Sequence, residues 1–326
     1  MHSAVLIEHM MGREAHTREE TMLTSQKLRT TLGCIAAASV VALLASCSSG
    51  AGSGDTSSAS AGGKVNAKLA AMVPDSIKSD GKVVVATDPT YAPMELVAED
   101  GSTITGVDPE IGAALGEVLG VKFTFVKSTF DAIIPGLSAG KYELGMSSFT
   151  DTKEREKVLD FVTYFKAGTD LMVPAGNPKK LSVSDDSLCG LAVAAEKGTI
   201  QSDSDIPDRS KKCTDGGKKA IDEKVYPDQN AVNLALATGR VDAALADSGV
   251  AGYMAKQSDK KFEVVGEPYA TAPYGIAVPK SDGKFAEALQ GAVNEIIKNG
   301  TYKKILAKWA SDGGAITSSE INAAQS

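Results

Sequence analysis

One pattern occurs twice in this chain, and it limits the folds available. Leu137-Ser138-Ala139-Gly140-Lys141-Tyr142-Glu143-Leu144 runs on to Ser148. Leu236-Ala237-Thr238-Gly239-Arg240-Val241-Asp242-Ala243 runs on to Asp247. Each copy reads as a helix end, a capping glycine, a base, an apolar residue, an acid and a short apolar strand. Glycine suits the helix end because the residue after the last turn adopts a left-handed conformation without penalty. Each copy sets a polar residue, Ser148 or Asp247, at the same distance beyond its glycine. That position is the carboxyl end of a strand, the edge at which open α/β sheets bind ligands. The strands that come first match in the same order: Val83–Ala86 leads to Thr87-Asp88, and Leu191–Ala195 leads to Lys197-Gly198-Thr199. Two similar α/β lobes produce such a repeat.

Local signals fill in the lobes. Lys82–Ala86 is a short β-branched run, as in a buried parallel strand. Asp108-Pro109 reads as an N-cap followed by proline at the first helical position. Ile111, Ala114, Leu115, Val118 and Leu119 follow at helical spacing until Gly120. Val121–Val126 alternates like a strand, and Asp131–Ala139 reads as a helix ended by Gly140. Alternating strands and helices predict a layered α/β fold with a mostly parallel sheet. With 326 residues, 43% of them hydrophobic, there is enough chain for two medium domains.

Composition excludes several functions. The net charge is −7 and there are no basic runs, which argues against a nucleic-acid partner. All three histidines (His2, His9, His16) lie near the start. That start reads as export machinery: Lys27 and Arg29 precede the apolar run Leu32–Ala45, which is too short to span a bilayer but suits a signal-peptide core. The residues before Met22 do not fit a signal peptide, so Met22 is read as the translation start. Leu44-Ala45-Ser46-Cys47 resembles the bacterial lipobox, in which the cysteine is lipidated and becomes the first residue; an ordinary signal peptide with a chance cysteine is the other reading. Removing residues 1–46 removes every histidine, and with them Ser-His-Asp or Cys-His catalysis and any His-ligated metal site. Ser48–Gly63 is built of Ser, Gly and Ala and reads as a flexible tether. Cys189 and Cys213 then remain in an oxidising setting. A disulfide worth roughly 3 kcal/mol in the chain-entropy model is expected, against two unpaired buried thiols.

Several stretches now stand in a familiar order: Thr87-Asp88-Pro89-Thr90-Tyr91-Ala92-Pro93-Met94-Glu95, Gly106-Val107-Asp108, Phe130–Leu137 and Ser147–Glu156, then Gly198-Thr199, Gly239–Ala243, Gly300-Thr301-Tyr302 and Lys308-Trp309. From about Gly81 to Trp309 the chain resembles the polar amino-acid-binding lipoproteins of ABC importers, the family-3 extracellular solute-binding proteins. The resemblance implies a two-lobe periplasmic-binding-protein-like clamshell of type II. One lobe would comprise 75–167 plus 275–326 and the other 172–270, after a signal segment (1–46) and a lipidated linker (47–74). Crossing segments near Ala167–Leu171 and Tyr269–Tyr274 would form the hinge.

The same resemblance assigns a site for a zwitterion. Arg155, reached from Thr150 by the family's Thr-x-x-x-x-Arg spacing, would hold the carboxylate, since a guanidinium presents two parallel donors to it. Asp247 would hold the ammonium, and Ser148 would assist. Thr199 would stand where a helix N-terminus meets the carboxylate. Tyr91 and Phe130 would sandwich the aliphatic part of the ligand, and Asp88 would reach its side chain. Glu196 departs from the apolar residue often found before Gly-Thr; facing the cleft it would tilt the choice towards a cationic or amide side chain, and pointing outward it would not bear on the ligand. Each residue also has a plainer reading: Arg155 as a surface helix charge, Asp247 and Thr199 as N-caps, Phe130 as core. Asp151 and Glu154 are spaced like a capping box that would aim Arg155 at the cleft.

The expected function is capture of a polar amino acid outside the cell, without chemistry and without a cofactor or metal. Delivery would be to an ABC transporter permease, by a monomer held through its lipid at the outer face of the bacterial membrane. Two alternatives on the same fold are a carboxylate-based dehydratase and a sensory ligand-binding module. The pairing of Arg155 with Asp247 argues against the dehydratase, since a non-amino carboxylic acid needs no ammonium partner. Aromatics at 5% argue against a sugar ligand.

Overall fold

A computed structural model describes residues 65–325. The signal segment (1–46), the lipidation site Cys47 and the tether Ser48–Gly63 lie outside the described residues. Residues 65–74, expected to belong to the linker, are instead packed on the body. Asn66 caps a short helix (Ala67–Ala70) with its side chain and donates from Nδ2 to Glu295 Oε2 at 2.7 Å. Val73 is buried, and Leu69 and Met72 lie against the same core.

Eleven strands follow among the described residues: β1 (Lys82–Thr87), β2 (Thr90–Tyr91), β3 (Glu95–Val97), β4 (Ile104–Thr105), β5 (Lys122–Lys127), β6 (Leu144–Gly145), β7 (Leu159–Pro174), β8 (Ala192–Glu196), β9 (Asp222–Tyr226), β10 (Ala243–Asp247) and β11 (Phe262–Pro279). Eight of them form one sheet in the order β5-β1-β6-β11-β7-β10-β8-β9. Within it, β5-β1-β6 and β10-β8-β9 are parallel sets. They are joined through β11 and β7, which run antiparallel to each other and to the strand on either side. The remaining strands make a small antiparallel sheet, β2-β3-β4.

Helices cover both faces of each parallel set, which is why the β-branched and alanine-rich strands carry so little polar character. On one face of β1, Val83 and Val85 pack with Ile111 and Leu115 of the helix Val107–Leu119 and with Phe285 and Leu289 of the helix Gly283–Lys298. On the other face, Ala86 packs with Phe130, Ile133 and Leu137 of the helix Phe130–Ser138. The β8 set repeats the arrangement. Val193 and Ala195 face Ile206 and Cys213, while Ala194 faces Val232 and Leu236. Gly140 and Gly239, the two glycines of the repeat, both have φ 69°.

Two local expectations need correcting. The helix at 107–119 is opened by Gly106, not Asp108. Gly106 has φ 135°, and a Cβ there would stand 2.2 Å from the Met94 carbonyl oxygen. The chain therefore enters the helix two residues early, and Asp108 is fully buried inside the first turn. Its Oδ2 accepts from Ser148 N at 3.1 Å and from Tyr164 OH at 2.8 Å. Likewise Asp151 and Glu154 form no capping box. Thr152 is the N-cap of the one-turn helix Lys153–Glu156, and its hydroxyl accepts from Arg155 N at 3.2 Å.

Cys189 and Cys213 are disulfide-bonded across a sequence separation of 24. The bond ties the loop before β8 to the helix Ile206–Asp215. Closing that loop in the unfolded chain should stabilise the body by about 3 kcal/mol. Replacing both cysteines by serine is expected to lower the denaturant midpoint accordingly. An unchanged midpoint in urea titrations of the oxidised protein and the double variant would refute this.

Candidate functional site

The carboxyl ends of the parallel strands converge on one small cavity of about 10 Å³, roughly the room one water needs. Asp88 follows β1, Ser147 follows β6, Glu196 ends β8 and Asp247 ends β10. Tyr91 and Glu95 enter from the small sheet, Phe130 from the start of its helix, and Thr199 from the turn after β8. Five of the residues singled out from sequence thus meet here: Asp88, Tyr91, Phe130, Thr199 and Asp247. Glu196, raised there as a departure, lines the same space.

Asp247 stands at the N-cap position of the helix Ser248–Gln257, yet its side chain makes no cap bond. Its Oδ1 accepts from Gln201 Nε2 at 2.8 Å and its Oδ2 from Tyr274 OH at 2.5 Å. Its backbone N–H donates to Tyr91 OH at 3.1 Å, a contact between the two halves. Burial raises its pKa, opposed by the bonds from Tyr274, Gln201 and Tyr91 and by the Arg155 charge.

The segment Ser147–Arg155 is held from several sides. Ser148 has φ 53°, an uncommon conformation for serine, and its amide is pinned to Asp108. The hydroxyls of Ser147 and Ser148 donate to the two oxygens of Glu95, at 3.1 and 3.3 Å. Thr150 pairs with Tyr274 as a β-bridge. Arg155 lies beside two rings, 5.5 Å from the Phe130 centroid and 5.4 Å from that of Phe149. Those rings stack on one another at 4.5 Å. Its guanidinium donates to Thr150 O at 2.8 Å and, across to the other half, to Gly198 O at 2.9 Å. Ser148, Thr150 and Arg155 stand behind the cavity wall, whereas their neighbours Ser147 and Phe130 form it. Two of the five N–H donors of the guanidinium are used on carbonyls. Burial lowers the Arg155 pKa, while Asp203, Asp247 and Asp151 push it back up.

Thr199 is buried. Its hydroxyl donates to Glu196 O at 2.7 Å and accepts from Ser202 N at 3.3 Å, so it caps the turn that leads into the following helix. Thr90 and Gln229 also meet across the halves, as do Asp131 and Lys197 at 2.8 Å.

The electrostatics are lopsided. Asp88, Glu95, Asp108, Glu196 and Asp247 are all buried, and Arg155 is the single cation among them. Glu95 and Asp108 answer each other and their hydroxyl donors. Burial pushes Asp108 up to about 7 against the bonds from Tyr164 and Ser148, and burial with Asp108 nearby holds Glu95 well above the carboxylate range. Asp88 Oδ2 takes the Phe130 N–H at 3.1 Å, but Asp88 Oδ1 and Glu196 Oε1 have no donor. Burial raises both acids, and Glu196 is raised well above its ordinary value, with Asp88, Asp228, Asp247 and Asp131 adding to it.

Sequence reasoning left out Ser147, Gln201 and Tyr274, and did not place Glu95 in the site. Ser147 and Glu95 stand in the quoted motifs, beside residues that were chosen. Nothing local marks Gln201 or Tyr274, whose partner Asp247 is far along the chain.

A further acid behind the site has a consequence for stability. Asp170, on β7, is 6% exposed, and its Oδ1 lacks a donor. Burial, with Glu267 and Asp247 nearby, pushes it up to about 6. A raised folded pKa means the native state keeps its proton longer than the unfolded chain. Stability from this group is complete below about 4 and is lost as pH rises through about 6. Asp170→Asn is therefore expected to raise Tm by roughly 2–6 °C at pH 7.5 and to change it little at pH 4. Equal shifts at both pH values in melting curves would refute the assignment.

Comparison with known proteins follows from this geometry. The family model for bacterial extracellular solute-binding proteins, family 3, matches residues 83–312. The chain is 31% identical over 255 residues to the arginine-binding protein ArgT of Corynebacterium glutamicum, covering 78% of this chain and 83% of that protein. Among solved structures it is similar to an ancestral arginine-binding protein bound to arginine, with TM-score 0.65, 34% identity and coverage of 70% and 98%. It is also similar to the ancestral amino acid-binding protein AncCDT-1, described as a precursor of cyclohexadienyl dehydratase, with TM-score 0.64, 32% identity and coverage of 72% and 98%.

Proposed function

Starting from the fact that this chain belongs to the bacterial extracellular solute-binding proteins, family 3, we propose that it captures an amino acid with a basic side chain and delivers it to an ABC importer. The observation that carries the basic side chain is the pair of buried carboxylate oxygens without a donor, Asp88 Oδ1 and Glu196 Oε1, at one cavity. A buried carboxylate needs a counter-charge or donors. A guanidinium or ammonium side chain supplies both to two acids at once. The arginine-binding relatives support the same reading.

The rest of the ligand follows from the remaining groups. Arg155, Thr199 and the backbone between Ser148 and Thr150 would take the α-carboxylate. Asp247, oriented by Gln201 and Tyr274, would take the α-ammonium. Tyr91 and Phe130 would cover the aliphatic stem. An amino acid needs more room than the cavity offers, so the halves must part to admit it. We assign the hinge to β7 and β11, the strands that pass between lobe one (75–167 plus 275–326) and lobe two (172–270). The cross-half bonds of Arg155 and Tyr91 would be remade on closure. Among the described residues no helix is long and apolar enough to cross a membrane. Lipid on Cys47 would hold the protein, as a monomer, at the outer membrane face beside its permease.

We read the chain as a carrier and not an enzyme. A dehydratase acting on a non-amino carboxylic acid has no use for an ammonium partner, the role proposed here for Asp247. The AncCDT-1 structure is itself described as an amino acid-binding protein.

Calorimetry tests this. L-arginine or L-lysine should bind more tightly than L-glutamine. Arg155→Ala should weaken binding of each by roughly 100-fold. Glu196→Gln should weaken L-arginine by roughly tenfold and leave L-glutamine nearly unaffected. Because Asp88 and Glu196 are raised, they are protonated more readily than ordinary acids, and a cationic side chain pairs with their charged forms. L-arginine affinity should therefore rise as pH is raised beyond the ordinary carboxylate range. No heat with any amino acid, or an unchanged affinity in Arg155→Ala, would sink the reading.

A further inference from the structure

The helix that carries Arg155 is one turn, Lys153–Glu156. A single turn has no stability of its own, because nucleating a helix costs more than one hydrogen bond returns. What holds its two ends therefore decides where the guanidinium lies. On the inner side, β11 holds the preceding segment: Gly275 N donates to Phe149 O, and Asp151 N to Pro273 O, both at 2.9 Å. On the outer side stands the C-terminal end of the chain.

Residues 319–324 run as a strap along the free edge of the first half of β7. Thr163 N donates to Glu320 O and Asn322 N to Phe161 O, both at 2.9 Å, with Val162 and Ile321 bridged between them. Asn322, at φ 58°, then turns the strap towards the Arg155 segment. There Ala323 N donates to Asp151 Oδ2 at 2.7 Å, and Ala324 N donates to Glu156 Oε1 at 3.0 Å. The two acceptors bracket the helix, one before its cap and one at its last residue. Asp151 is 2% exposed, and its other oxygen has no donor. Among the described residues, the Ala323 N–H is thus the hydrogen-bond donor held by the Asp151 carboxylate, which neither caps the helix nor lines the cavity.

We propose that this strap is a positioning element for Arg155: Ala323 and Ala324, through Asp151 and Glu156, hold the turn that presents the guanidinium. The inference rests on the reading of Arg155 as the carboxylate partner of an amino acid. Removing the strap leaves Asp151 buried without its donor, so the segment must shift until water reaches it. Ile321 of the strap packs against the main core and is kept in a chain that ends after Asn322, whereas Ala323 and Ala324 belong to neither neighbouring core cluster.

The test compares the mature chain with one ending after Asn322, and with Asp151→Ala and Asp151→Asn in the full chain. L-arginine and L-argininamide, which lacks the carboxylate, are titrated against each. Hydrogen exchange is followed at the backbone amides of Arg155 and Glu156. The truncated chain and Asp151→Ala should bind L-arginine about tenfold more weakly and L-argininamide nearly as before. Asp151→Asn, which keeps an oxygen for the Ala323 N–H, should stay within about twofold of the parent. Exchange at Arg155 and Glu156 should quicken in the truncated chain. Equal losses for both ligands would mark a general structural role and overturn the proposal, as would L-arginine affinity unchanged by truncation. Should the truncated chain fail to fold, the Asp151 pair decides. Should the full chain bind no amino acid, the carrier reading fails alone, and unchanged exchange on truncation would still refute the strap.

Discussion

The antiparallel ladder between β7 and β11 is the connection on which the rest of the molecule hangs. At one end Leu159 pairs with Pro279, and at the other Pro174 pairs with Phe262, so both parallel strand sets are attached to the same two strands. Between those ends the pairing is poor. The register slips between Val265 and Tyr269 and again before Ala272, and residues 266–268 are exposed. Pro268 has no N–H to give the ladder, and Gly266 (φ 82°) and Ala270 (φ 51°) leave the extended conformation. Gly168 lies against this stretch, and a Cβ on it would stand 2.7 Å from Tyr269 O. The strands are thus firmly paired within each half and loosely paired between halves. A sheet built that way bends at the middle and stays rigid elsewhere, which is the mechanical requirement of a hinge.

That same ladder carries polar groups to the cleft. Tyr274, on β11 at the last register shift of the ladder, bonds Asp247 and bridges to Thr150. Thr169, on β7, holds the amide of Gln201 at 2.9 Å, and Gln201 holds Asp247. Asp247, the proposed ammonium acceptor, and the segment 148–155, the proposed carboxylate side, are therefore both referenced to the crossing strands. In the proposed closure two preset surfaces would come together, and little of the site would have to be assembled afterwards. The surplus of acid is partitioned accordingly. Glu95 accepts from Ser147 and Ser148 on its two oxygens, and Asp108 accepts from Ser148 N and Tyr164 OH on Oδ2 while its Oδ1 faces away from the cavity lining, so both act as framework. Asp88 and Glu196 each keep an oxygen without a donor, and under the proposed function these oxygens select the side chain.

How much of this was legible in the sequence follows from how local each signal was. The repeat was legible because glycine, base, acid and strand lie within a dozen residues, and a left-handed glycine is a local demand. It placed Ser148 and Asp247 at matching strand ends; Asp247 ends β10, whereas β6 stops at Gly145 and Ser148 lies three residues beyond it. Glu196 stood out by its type beside Gly-Thr. Gln201 and Tyr274 were invisible because each is defined by a partner remote in the chain. The packing of residues 65–74 was missed for a similar reason: Asn66 and Leu69 find their partners on the helix Gly283–Lys298.

The two misread caps show the physical limit of local rules. Asp108 before a proline and Asp151 three residues ahead of Glu154 both satisfy the spacing of a helix start. In both places another residue does the capping, Gly106 by its backbone freedom and Thr152 by its hydroxyl. The displaced carboxylates are not idle. Asp108 takes the Ser148 amide, and Asp151 takes the Ala323 amide. A short acidic side chain near a helix start offers the same oxygens to a helix amide or to any other donor within reach. A nearby Thr or Gly that can open the helix frees the acid for tertiary work. Here that work is done twice on the strand-end segment that leads to Arg155, once at Ser148 and once at Asp151. The acids that break the capping rule are the ones that hold this segment in place.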